Sequence, residues 1–193
     1  MCWLRPAVSI CALVLLLFTA YPIFADDTAY DTADHAQLRQ FLSTTISDAG
    51  SFTDRFDAEV WLVDMSRRLT RYIPDPKERL DLLRQIHHYA TDAGLPPEVV
   101  LAVIEIESHF DRFAVSRVGA QGLMQVMPFW REEIGRSSDN LTQIATNLNY
   151  GCRILQFYLQ KSDGQLLNAL KRYNGASNLK YSRKVQTAWR EHW

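Results

Sequence analysis

Cysteine is scarce in this chain: three in 193 residues, two of which, Cys2 and Cys11, fall within the first 25. Without those two, Cys152 stands alone, and one cysteine makes neither an internal disulfide nor a cysteine zinc site. Its setting in "NYGCRIL" reads as a small buried side chain. Catalytic signatures of several classes are also missing. There is no H-E-x-x-H pair for zinc, no G-x-x-x-x-G-K loop for nucleotides and no G-x-S-x-G elbow for a serine nucleophile. The five histidines do not pair at ligand spacing, since His87 and His88 point to different faces of a helix. No dense basic stripe marks a nucleic-acid binder, and no segment alternates convincingly as a strand.

What is present begins with a biased N-terminus. Arg5 is the only charge in the first 25 residues, Ala7 to Thr19 is apolar, and Pro22 precedes "IFA". This is the plan of a secretory signal peptide cut after Ala25. An uncleaved anchor is the alternative, because Ala7 to Ala25 is almost long enough to span a bilayer. Pro22 and the abrupt change to "DDTAYDTAD" favour cleavage and an exported, periplasmic protein. Residues 26 to 59 carry a formal −6, whereas residues 60 to 193 carry +4, mostly after Lys161. That mildly cationic body suits an anionic polymer or simply a solvated surface.

The remaining pattern is helical, and a hydrophobic content of 47% supports one well-buried domain. A short helix is expected over Ala36–Ser47. The next, in "FDAEVWLVDMSRRLTRYI", places Phe56, Val60, Val63 and Tyr72 at helical spacing before Pro74 and Pro76. Leu80, Leu83, Ile86 and Ala90 share a face of a further helix, which ends at Gly94, a residue suited to positive φ. Pro96-Pro97 opens another. From Val99 to Ile106 that helix is apolar on every side and is therefore central. "NLNYGCRILQFYLQ", "QLLNALKRY" and "YSRKVQTAWREHW" supply the last three. The expected fold class is all-α.

Within the central helix, "IEIESHF" contains two glutamates. Glu105 and Glu107 point about 200° apart around a helix, so one faces the chemistry and the other meets solvent or a basic partner. Asp111 shares a face with Glu107 only if the helix continues that far. Phe110-Asp111-Arg112 reads instead as a helix end, where aspartate makes turn or capping bonds. His109 projects away from Glu107. Further on, Gly119 and Gly122 break the helical pattern ahead of Gln125, an amide that both donates and accepts, and Met127, adaptable to an irregular apolar surface. On these residues alone, a sugar-binding loop and a glycine turn packed under a core both stand.

Together, "ESHF" at Glu107 to Phe110, "GLMQVMP" at Gly122 to Pro128, "NLNYGCRIL" at Asn147 to Leu155 and "RYNG" at Arg172 to Gly175 resemble the soluble lytic transglycosylase (SLT) family in content and order. The resemblance covers about Leu95 to Val185. It departs from the family's A-Y-N-A-G at the fourth motif, where Arg172 precedes the tyrosine and Gly175-Ala176 reverses the order, while Tyr173 and Asn174 match. The resemblance implies a goose-type, lysozyme-like domain over 95–193, with residues 26–94 as a helical N-terminal extension behind the signal peptide of 1–25. It implies cleavage of the β-1,4 bond between N-acetylmuramic acid and N-acetylglucosamine in peptidoglycan, without water, to give a 1,6-anhydro end. Carried onto this chain, Glu107 is the catalytic acid, Tyr173 hydrogen-bonds it, Ser108, Gln125 and Asn174 bind saccharide, and Met127 lines the cleft. The partner is a peptidoglycan glycan strand, and neither metal, organic cofactor nor nucleic acid is implied.

Such a reaction needs one proton donor and an internal nucleophile, so a lone carboxylate suffices. Enclosure in apolar surroundings raises a glutamate's pKa and keeps it protonated near neutral pH. A hydrolytic muramidase is the alternative enzyme and requires a second carboxylate or base, for which Asp111 is the nearby candidate. A noncatalytic glycan-binding envelope protein is the alternative from another class; it has no use for a buried acid.

Overall fold

A computed structural model describes residues 55–175 and 178–193. The expected signal peptide and the helix expected over Ala36–Ser47 lie outside the described residues. Seven helices are ordered α1 (Arg55–Leu69), α2 (Pro76–Asp92), α3 (Pro97–Ser108), α4 (Trp130–Ile134), α5 (Ile144–Gln160), α6 (Leu166–Tyr173) and α7 (Lys180–His192). Among the described residues the only extended pairing is two isolated bridges, Val115 with Gln121 and Gln121 with Val126. The all-α class therefore holds.

α1 turns a different face inward from the one its apolar spacing suggested. Ala58, Leu62, Met65 and Leu69 are buried, while Phe56, Val60 and Val63 are exposed. Both sets recur at helical intervals, and periodicity alone cannot say which stripe meets the next helix. The buried stripe runs on through the last turn to Leu69, where the chain reverses into α2. That reversal is fastened by the buried Arg79. Its guanidinium donates to the carbonyls of Ile73 (2.8 Å) and Pro74 (2.7 Å), and its Nε donates to Ser66 Oγ at 3.1 Å. Asp75 caps α2 by accepting from the Glu78 amide at 2.7 Å, as an N-cap aspartate does.

α2 behaves as its pattern requires: Leu80, Leu83, Ile86 and Ala90 are fully buried. It ends through Gly94 at φ 64°, with Leu95 N–H donating back to the Ala90 carbonyl at 2.9 Å. Pro96 and Pro97 then start α3. Every residue from Val99 to Ile104 is buried, because α2 packs on one flank of α3 and α7 on another. α5 packs against α2 and α6, and α6 against α7. α3 is thus the central element, and it stops abruptly. His109 and Phe110 both take left-handed backbone angles, φ 51° and 66°, so Asp111 never joins the helical face of Glu107. Asp111 instead accepts from the Phe113 amide at 2.8 Å, closing a local turn.

One buried amide makes three of the bonds that hold the loop that follows. Asn147, on the first turns of α5 and 1% exposed, accepts from Met124 N–H at 2.7 Å and donates to the carbonyls of Gln121 and Leu141, both at 2.8 Å. Gly122 makes this possible. Its φ is 75°, and a Cβ there would overlap the Asn147 amide and the Leu141 carbonyl. At this position the glycine serves packing. One turn along α5, Gly151 presses against Met124 in the same way. Asn147→Ala would leave the buried Met124 N–H and Leu141 carbonyl without a partner and should cost about 2–4 kcal/mol, read as a lowered urea midpoint. A loss below about 1 kcal/mol would mean that the loop holds its shape without this amide.

Candidate active site

The last turn of α3 places its two glutamates in opposite settings. Glu105, 6% exposed, lies under the end of the chain. His192 Nδ1 contacts its two oxygens at 2.8 and 3.0 Å, Trp193 Nε1 donates at 2.8 Å, and Arg71 stands 3.5 Å away. Tyr72 also reaches it. Burial opposes ionisation of Glu105, but the bonds from His192, Tyr72 and Trp193 and the charge of His192 outweigh that and hold its carboxyl below the usual range. Phe110 packs on Tyr72 and Trp193, with centroids 4.8 and 5.6 Å apart, and closes this cluster. Glu105 is thus the glutamate with basic partners, and its role is structural.

Glu107 faces the other way. It keeps a partial opening to solvent. Burial raises its pKa to about 7, opposed only by a hydrogen bond from Tyr181, whose hydroxyl donates to Oε1 at 2.7 Å. No cation among the described residues pairs with it. Two phenols lie close. Tyr173 and Tyr181 are both pushed well above the ordinary tyrosine range by burial and then by the Glu107 charge, so each remains a proton donor.

The residues singled out in the sequence occupy the same region but take different tasks. Tyr173, expected to bond Glu107, donates instead to the Met124 carbonyl at 2.8 Å. Tyr181 makes the expected bond in its place. The reason is geometric: Tyr173 ends α6 above the 122–126 turn, whereas Tyr181 begins α7, which packs directly on α3. Ser108 Oγ contacts two carbonyls, Leu123 at 2.8 Å and Ile104 at 3.2 Å, tying the end of α3 to the same turn. Gln125 sits at φ 49°, and its Nε2 donates to Gly122 (3.0 Å) and Ala114 (3.2 Å) carbonyls. Gln125 and Met127 remain partly exposed, and Asn174, which caps α6, is exposed. Met124 and Cys152 are core, Sγ to Sδ 4.0 Å, and burial raises the Cys152 thiol to about 12, far from a nucleophile's range.

Sequence reasoning missed Tyr181 and the role of Asn147. Asn147 carried a signal, since an amide on the same helical face as Tyr150, Gly151 and Ile154 has to find buried partners. Tyr181 carried none, because its contact with Glu107 spans 74 residues and depends on how α7 docks.

A family model described as the transglycosylase SLT domain matches residues 84–193, more than half of the chain and wider at both ends than the four motifs. Among solved structures, the chain is similar to the 70 kDa soluble lytic transglycosylase SLT70 from Escherichia coli, at 19% identity and a TM-score of 0.44 over 85% of this chain. It is similar also to the complex of the 70 kDa soluble lytic transglycosylase with bulgecin A, at 20% identity and a TM-score of 0.45 over 84% of this chain. The match spans only 30% and 28% of those two proteins. On the family match, the chain belongs to the transglycosylase SLT domain family.

Proposed function

We propose that this protein is a peptidoglycan lytic transglycosylase that cuts the β-1,4 bond between N-acetylmuramic acid and N-acetylglucosamine. The observation that carries the reading is Glu107: a lone carboxyl raised to about 7 by burial and oriented by one phenol. In its protonated form it donates to the glycosidic oxygen as the C1–O bond breaks. The resulting carboxylate then takes the proton of the muramyl C6 hydroxyl, whose oxygen bonds C1 and closes a 1,6-anhydro ring. One group thus acts first as acid and then as base, and no water enters.

The placement of the other acids favours this over hydrolysis. A muramidase needs a second carboxylate or base to activate water. Asp111 is bound into its own turn, and Glu105 is held by His192 and Trp193 on the opposite side of α3. Gln125, Met127 and Asn174 are the partly or fully exposed candidates for saccharide contact, with Ser108 and Tyr173 as supports for the 122–126 turn. Residues 95–193 would form the catalytic domain, and the helices before it a support, since α2 packs on α3 and α5. Among the described residues no helix is long and apolar enough to cross a membrane. Export to the periplasm rests on the pattern of residues 1–25.

Mass spectrometry of soluble products from purified peptidoglycan tests the chemistry. Muropeptides ending in 1,6-anhydro-muramic acid are expected, with Glu107→Gln slower by roughly a thousandfold. Reducing ends, one water heavier, would establish hydrolysis instead.

Activity should fall as pH rises through about 7, because the acid is then ionised. The Tyr181 bond favours the charged form, so Tyr181→Phe should move that limb to higher pH; a limb that stays in place would separate Tyr181 from the acid.

Stability follows the same group. The folded pKa of Glu107 lies above its ordinary 4.5, so its contribution is fully present below pH 4.5 and is lost as pH rises to about 7. Glu107→Gln should therefore be about as stable as the parent at pH 4.5 and more stable by about 3 kcal/mol at pH 8. Equal urea midpoints at pH 8 would show that Glu107 ionises there at no cost.

A further inference from the structure

A pocket of about 680 Å³ is lined by the turn that follows α5 and by one face of α6, and the reaction above makes no use of it. Lys161 stands in the turn, and Lys171 and Arg172 stand on α6. Among the described residues none of these three makes an ion pair. Asp163 is the one acid on the wall, so cations outnumber it three to one. Solvent alone would account for a cluster of this kind. It does not account for Ser162, which lines the same pocket, is 7% exposed and has a hydroxyl with no hydrogen-bond partner. A buried hydroxyl is costly to leave unpaired, and this one can donate to an acceptor that the protein does not supply.

Two of the lining residues mark the pocket as this chain's own. Arg172 and Gly175 are positions at which the sequence departs from the A-Y-N-A-G pattern. Arg172 adds a charge where the pattern has alanine. Gly175 takes φ 69° and donates its N–H to the Arg172 carbonyl at 3.1 Å, ending α6 in left-handed backbone that an alanine disfavours. The set of donors decides the ligand. A carboxylate offers two oxygens and a single charge, whereas a phosphate ester carries up to two charges on three free oxygens. The ester matches three cations, the Ser162 hydroxyl and the Asn168 amide. The volume falls in the range of about 300–1,000 Å³ that encloses small ligands, and it leaves room for the group that the phosphate is joined to. We propose that this pocket binds a phosphate ester, with Lys161, Lys171 and Arg172 around its oxygens and Ser162 donating to one of them. The inference stands apart from the role of Glu107.

The test is an NMR titration of the full chain with glycerol phosphate, at constant ionic strength in chloride. Amides of residues 161–165 and 168–175 should shift. Affinity should be about tenfold weaker in K171Q/R172Q, which removes two charge-assisted contacts. It should be about threefold weaker in S162A, a variant that breaks no hydrogen bond of the Ser162 hydroxyl in the folded chain. No shift in these amides, or S162A binding as tightly as the parent, would overturn the proposal and leave a solvated cationic face. Acetate binding as tightly as glycerol phosphate would overturn it in favour of a carboxylate site. Two outcomes support the pocket and separate the sources of the ester. Sedimentation with vesicles of phosphatidylcholine and phosphatidylglycerol, lost in K171Q/R172Q, would trace the phosphate to a lipid headgroup. Binding of glycerol phosphate without binding of those vesicles would trace it to a soluble ester.

Discussion

The bond from Met124 N–H to the Asn147 side chain, with the two that Asn147 returns to Gln121 and Leu141, sets the position of everything opposite α3. A loop rich in glycine and polar residues has no apolar stripe to fix it, so its backbone groups need partners elsewhere. Asn147 supplies them from α5, and Gly122 allows the approach. Ser108 and Tyr173 then bond Leu123 and Met124, joining α3 and α6 to the loop. Gln125 and Met127, two of the residues proposed to meet sugar, are thereby carried on or beside a turn anchored to three helices.

Against this frame, α3 divides its labour by angle. A helix buried from Val99 to Ile104 has little tolerance for charge, yet it ends with two glutamates. One is satisfied by bonds from His192, Trp193 and Tyr72 and stays ionised. The other is left with a single phenol, and burial dominates. The same cost that would count against stability is what brings an ordinary carboxyl into the range of a neutral-pH acid.

Much of this was legible in the sequence, and what escaped had physical reasons. Gly94, the double proline and the Leu80–Leu83–Ile86–Ala90 stripe gave the helices around α3 because capping and periodicity are local. Glu107 stood out because a charge in an apolar run demands explanation. The inward face of α1 is not legible in its spacing because two apolar stripes compete on it, and only its partner decides between them. Tyr173 was assigned the bond that Tyr181 makes, since both are tyrosines near the same loop and only the docking of α7 on α3 separates them. Of the departure from the family pattern, Arg172 stands just before the first tyrosine and Gly175-Ala176 lies between the two. It was visible, but its geometric meaning was not.

The pairing of α3 with α7 makes the setting of Glu107 depend on long-range docking. Glu107 and Tyr181 are distant in sequence, as are Glu105 and Trp193, so these contacts close large loops at an entropic cost. Until α7 docks, position 107 bears a hydrated, ordinary carboxylate with no phenol beside it. The setting of Glu107 is therefore assembled by tertiary structure, and a chain still unfolded, or one whose last helix has locally detached, lacks the buried environment that raises its pKa. Under the proposed function, catalytic competence would be a report on the completeness of the fold.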